Sequence, residues 1–225
     1  SQIMVKKHLS VLVANTSVGH DTNNDLEKLN AVAKAYNALD KDRRLSMILK
    51  IVAATRKFKI TFDFKREFVT FMDPTAQPYT NGLFYFSGRI LIAAKFLLVP
   101  GKEHIVYGVL AHELCHFAMF LVYKNRSKPY TVKDQARKSE FLDIVDDCKA
   151  KQDSEEVISL VFNCYPRSMQ RAELIVRVPH MIALYHKNQE VLNEKIKLFQ
   201  KLFDFFDVCV LEMELAIGRI TKKFK

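Results

Sequence analysis

From Glu103 to Tyr123 the chain runs almost entirely through apolar residues, and in the middle of that run stands His112-Glu113-Leu114-Cys115-His116. The stretch predicts a buried helix, with Ile105, Val106, Val109 and Leu110 before the motif and Phe117, Met119 and Phe120 after it. Two histidines four apart on a helix project from one face about one turn from each other. Both imidazoles can then reach a single Zn²⁺ ion. Glu113 follows the first histidine directly, so its carboxylate falls beside a metal-bound water rather than on the metal, where it can take the proton of that water. Two histidines and a glutamate are costly to bury without a partner, and a metal is the natural one. The competing explanation is an amphipathic helix whose polar stripe faces solvent.

The pattern is the H-E-x-x-H of zinc peptidases, which a chain of this length would show by chance at about the one per cent level. Two imidazoles do not close such a site, which takes three protein ligands and leaves a fourth position open. Three downstream residues compete for the third place. Glu140, in Ser139-Glu140-Phe141-Leu142-Asp143, stands at a spacing similar to that of thermolysin-type peptidases, and otherwise belongs to a solvated helix face. Glu173 lies within the apolar sequence Ala172-Glu173-Leu174-Ile175-Val176, where an unpaired carboxylate is expensive, and this argument favours it. His180 follows Pro179 and suits a hydrogen-bonded core histidine better than a ligand.

Composition sets the frame around the motif. A hydrophobic content of 49% over 225 residues suffices for one sizeable core, so the expectation is a single domain over 1–225, sheet-bearing to about residue 123 and helical from about 124. No uninterrupted apolar run of about 18 residues occurs, and the first residues lack the apolar core of a signal peptide, so no membrane span is expected. The four cysteines, Cys115, Cys148, Cys164 and Cys209, are widely spaced with no C-x-x-C pair, which points to a cytoplasmic or other reduced intracellular setting. The formal charge of +10 is spread along the chain and accompanies no nucleic-acid-binding motif. It reads as solvated surface, while a nucleic-acid-associated protein remains a third possibility with a salt-sensitive affinity.

Taken in order, Val11 to Ala14 reads as a short buried strand and Thr16 to Asn24 as a loop, with Asn23 or Asn24 able to cap a helix. Leu26, Leu29, Val32, Ala33 and Tyr36 recur at helical spacing, and a second helix is expected from Arg44 to about Arg56. Lys59 to Phe64 and Phe68 to Met72 carry strand patterns, and Asp73 to Thr80 reads as a loop. Leu83 to Phe86, the turn Ser87-Gly88 and Arg89 to Ala93 predict a hairpin. After the motif helix and the polar loop from Lys124 to Pro129, helices are expected over about Val132–Cys148, Ser154–Phe162, Met169–His186 with Pro179 inside, and Val191–Ile220.

The motif His112 to His116, the helix carrying Phe141-Leu142-Asp143-Ile144, and Tyr165 shortly before Ala172-Glu173 together resemble the gluzincin metallopeptidases, in particular the catalytic domain of anthrax lethal factor. The resemblance covers roughly Leu83 to Tyr185 and is specific at the zinc motif. It implies an α+β, zincin-like fold with a small N-terminal mixed sheet, an active-site helix and a largely helical C-terminal half. It also implies His112, His116 and Glu173 as Zn²⁺ ligands, Glu113 as general base and Tyr165 as donor to the oxyanion. The chain departs from the family pattern in a longer interval between His116 and Glu173, in Tyr165 being one position displaced, and in Arg177 where the family has an acid. For Tyr165 the alternative is a packed, half-buried aromatic. The expected activity is hydrolysis of a peptide or protein substrate, its backbone held by the hairpin at Leu83 to Ala94. The alternative is a catalytically inactive zincin-like binding or scaffolding module, and nothing in the sequence sets the oligomeric state.

Overall fold

The structure, a computed structural model, describes residues 6–19, 25–69, 81–123 and 135–223, and their side chains apart from those of 135–138. The described residues form an α+β fold in which a small mixed sheet is outweighed by helix.

Helix α1 (Lys7–Ala14) leads into the two-residue strand β1 (Thr16–Ser17), followed by α2 (Asp25–Asp40) and α3 (Arg43–Thr55). Asp42 caps α3 by accepting from the backbone N–H groups of Arg44 and Leu45, and Arg56 ends it in the left-handed conformation. Buried Asp40 ties the three helices together: it accepts from Lys6 Nζ at 2.9 Å and from the Ser46 hydroxyl at 2.8 Å, and meets His8 Nε2 at 2.7 Å. The strand expected over Val11 to Ala14 is therefore the second half of a helix. Its apolar residues are too few to show a period of two or of 3.6 by themselves, and Leu9 with Leu12 supply the buried helical stripe.

Strands β2 (Lys59–Asp63), β3 (Gly82–Tyr85) and β4 (Arg89–Ala93) complete a sheet of order β1-β2-β4-β3, with β4 parallel to β2 and antiparallel to β3. Ile60, Phe62, Ile90 and Ile92 face the helices and are buried, whereas Lys59, Arg89 and Tyr85 are exposed. The β3–β4 hairpin closes at Gly88, whose φ of 90° requires glycine; an added Cβ would also lie 2.7 Å from the Lys57 carbonyl oxygen. Of the second expected strand, Phe68 and Val69 are not in a strand, and the remainder, with the loop to Thr80, lies outside the described residues.

Helix α4 (Glu103–Tyr123) has the bounds its apolar run predicts. It is long and apolar enough to cross a membrane, but 83% of the qualifying window is buried inside the fold, which marks it as the core helix. Then follow α5 (Gln135–Ala150), α6 (Glu156–Cys164), α7 (Arg167–Leu184, with Pro179 inside), α8 (Gln189–Leu198) and α9 (Gln200–Lys223). The single helix expected from Val191 to Ile220 is broken at Phe199, whose fully buried ring packs into the core where the chain turns. Helix α4 packs against α7 more extensively than any other pair of elements does, and also touches α3, α9, β3 and β4. Buried side chains from Leu9 to Ile220 make one contiguous core around it.

Candidate metal centre

The centre forms where α4 meets α7. On α7, Glu173, Arg177 and His180 are spaced by four and three residues, so all three lie on one face, and that face meets His112 and His116 of α4. Glu173 Oε1 stands 3.2 Å from His116 Nε2 and Oε2 stands 3.4 Å from His112 Nε2. One ligand atom from each of the three residues can be chosen so that all lie within 4.8 Å of one another. Ligand atoms at about 2.0–2.1 Å from a tetrahedral ion are about 3.3 Å apart, and each carboxylate oxygen stands at about that spacing from one imidazole nitrogen, Oε1 from His116 and Oε2 from His112. Two imidazoles and a carboxylate are also a donor set suited to a divalent transition metal. His112, His116 and Glu173 thus form a largely buried group that could bind a metal ion.

The electrostatics agree with that donor set. Burial, with the Arg177 charge nearby, pushes His112 down to about 3, so its imidazole is neutral at pH 7. Burial pushes Glu173 up, but the two imidazoles outweigh it and hold the carboxyl far below its usual range, so it is ionised. His116 is raised: burial disfavours its charge, and the hydrogen bond and charge of Glu173 more than offset this.

Glu113 lies off this trio. Its Oε1 is 3.7 Å from His112 Nε2, and burial pushes its pKa up to about 7, the range in which a carboxylate can both take and return a proton at neutral pH. Gly82, the first residue of β3, lies directly over it: a Cβ there would approach Glu113 Cγ and Val109 Cγ1 to 2.7 Å each. Only glycine lets the sheet edge come this close to the motif helix.

Glu113, His112, Tyr165, Arg177, His180, Asn81 and Gly82 line one cavity of about 40 Å³, room for water molecules. Tyr165, at the end of α6, is half-buried, and burial, with the charge of Glu173, raises its pKa. The Arg177 guanidinium lies 5.7 Å from the centre of its ring.

Of the sequence-derived candidates, His112, His116, Glu173, Glu113 and Tyr165 are thus brought together. Glu140 is not: it is an exposed residue of α5. His180 stands behind His112, Nδ1 to Nδ1 at 3.1 Å, outside the group of possible ligands. Gly108 makes room for the His180 ring, since a Cβ there would lie 2.7 Å from His180 Cδ2. What the sequence did not reveal is the position of Arg177. It is 3% exposed, its Nε donates to the Val157 carbonyl at 2.8 Å, and its Nη1 lies 2.7 Å from His112 Nδ1 and 3.5 Å from Glu173 Oε2. The available signal was a second charge one turn after Glu173 in an apolar helix.

Comparisons with protein-family models, with curated proteins and with solved structures each return no match.

Proposed function

We propose that this chain is a zinc-dependent endopeptidase with a zincin-like fold, holding Zn²⁺ through His112, His116 and Glu173. The observation that carries the reading is the meeting of a distant carboxylate with both motif imidazoles, beside a second carboxylate that is buried in a cavity and not part of the ligand group. An ordinary solvated helix face would not bury these groups against one another. When bound, the ion would supply Lewis-acid activation of water and of the scissile carbonyl.

The protein groups then have separate tasks. Glu113 takes the proton of the attacking water and returns it to the leaving amine, for which a carboxyl displaced to about 7 is suited. Tyr165 donates its hydroxyl proton toward the oxygen on which negative charge develops. The edge strand β3, whose first residue lies against Glu113, offers backbone groups to which an extended peptide can add as a further strand. None of the four cysteines is joined in a disulfide and three of them are buried, in keeping with a reduced intracellular setting.

The test is cleavage of a broad peptide library by the zinc-loaded protein, with and without chelator, alongside Glu113→Gln. Cleavage abolished by chelator and by the substitution supports the reading, and undiminished cleavage by Glu113→Gln removes Glu113 from the mechanism. A second reading, a zincin-like binding or scaffolding module without turnover, is favoured by one observation: a buried cation, Arg177, crowds His112. Stoichiometric zinc without any cleavage would select it.

A further inference from the structure

Zinc ligands are normally backed by a group that accepts a hydrogen bond from the outer nitrogen of the histidine. The acceptor fixes the ring and leaves the inner lone pair free for the metal. At His112 the opposite group is closest. Arg177 can only donate, and its Nη1 is 2.7 Å from Nδ1, the outer nitrogen, and also 3.3 Å from Nε2, the nitrogen facing Glu173 and His116. The same Nη1 lies 3.5 Å from Glu173 Oε2. One guanidinium nitrogen therefore reaches both nitrogens of one ligand and an oxygen of another, at the edge of the place an ion would take.

We propose that Arg177 is an internal cation that competes with the metal for His112 and Glu173, and that His180 is the acceptor that receives the outer nitrogen of His112 once Arg177 gives way. The inference rests on the metal-site reading above and concerns what sets the affinity of that site. Three independent features support it. A charged guanidinium and a divalent cation repel at this range, so each lowers the other's hold on the same carboxylate edge. His180 Nδ1 is already 3.1 Å from His112 Nδ1, and Gly108 is what allows its ring to stand there. Finally, Arg177 lines the cavity it shares with Tyr165, so its Nη groups have space to withdraw while Nε keeps its bond to Val157.

The test is zinc affinity of the full chain, read by competition with a chromogenic chelator. Arg177→Met keeps an apolar stem of similar reach and removes the charge, and binding should tighten by about 10–100-fold. His180→Phe should weaken binding by a similar factor, whereas His180→Asn, whose Oδ1 can take the place of Nδ1 as acceptor, should stay within about threefold of the parent. Thermal unfolding of each variant, and Arg177→Gln as a second neutral replacement, separate loss of fold from loss of metal. Equal or weaker binding in both neutral variants at Arg177, or His180→Asn behaving as His180→Phe, overturns the proposal. If no variant binds zinc, it is the metal-site reading that fails. The contest is then read without metal from the nitrogen chemical shifts of His112: Arg177 donation requires Nδ1 to be the acceptor in the parent, and the proton should move to Nδ1 in Arg177→Met. An Nδ1 already protonated in the parent overturns the proposal.

Discussion

Two buried carboxylates in this molecule are each met by three polar side chains, histidine among them, and are held in contrasting ways. Asp40, where α1, α2 and α3 meet, takes hydrogen bonds from an ammonium, an imidazole and a hydroxyl at 2.7–2.9 Å. Its donors match its acceptors, and among the described residues no second buried carboxylate is bonded into the cluster. Glu173, between α4 and α7, has two imidazoles at 3.2 and 3.4 Å and a guanidinium at 3.5 Å, with Glu113 buried beside them and a cavity adjoining. The first cluster is a closed set of hydrogen bonds that fastens helices. The second is more loosely contacted and could bind a metal ion; under the proposed function it is a binding site held at some expense in stability.

The contrast can be broken at several points. The largest expected effect is on turnover: Glu113→Gln should lower peptide hydrolysis by at least about 100-fold while leaving zinc stoichiometry intact, read from initial rates and elemental analysis. The same substitution should leave thermal stability unchanged or raised, because it removes a buried carboxyl that burial disfavours in its charged form. A clear loss of stability would place Glu113 with Asp40 as a structural group. Next, Asp40→Ala should destabilise the metal-free protein by about 3 kcal/mol in denaturant titration, since it strands His8 and Ser46 in the interior.

The third is a pH effect with a definite sign. Burial pushes Asp40 up, but the hydrogen bonds from His8, Lys6 and Ser46 prevail and hold it below the usual carboxylate range. Its contribution to stability is therefore fully present above the unfolded-state pKa and is lost as pH falls through the lower folded-state value. The stability gap between the parent and Asp40→Asn should narrow on acidification below about pH 4; a gap that widens there would contradict the assignment. A smaller effect is expected at the sheet edge. Gly82→Ala should cost about 1–3 kcal/mol by forcing β3 off Glu113 and Val109, and should lower hydrolysis more than it lowers zinc binding. The smallest is at the competing acid: Glu140→Gln, on the exposed face of α5, should change neither metal content nor unfolding.

The residues that converge between α4 and α7 were more legible in the sequence than the element boundaries were, and the reason is chemical. A charged residue inside an apolar run is conspicuous because water is the only cheap alternative to a partner, which is why the sequence favours Glu173 over Glu140. The bounds of α4 were legible because its apolar run is long and its flanks, Pro100-Gly101 and the polar stretch from Lys124, are unambiguous. Shorter or longer signals failed at either end. Val11 to Ala14 is too brief to distinguish strand from helix, and the break falls at Phe199 itself, a buried residue between Leu198 and Gln200, without glycine or proline to announce it. The Arg177 contact was out of reach for a different reason: helical spacing places it one turn from Glu173, but only the packing angle of α7 on α4 decides which ligand it touches.

The most direct measurement of the central claim is elemental analysis after equilibrium dialysis of the purified protein against zinc, repeated with Glu173→Ala and with Glu140→Ala. One ion per chain is predicted for the parent and for Glu140→Ala, with loss of the ion in Glu173→Ala. A parent chain that leaves dialysis without zinc, or a Glu173→Ala chain that keeps it, would contradict the account.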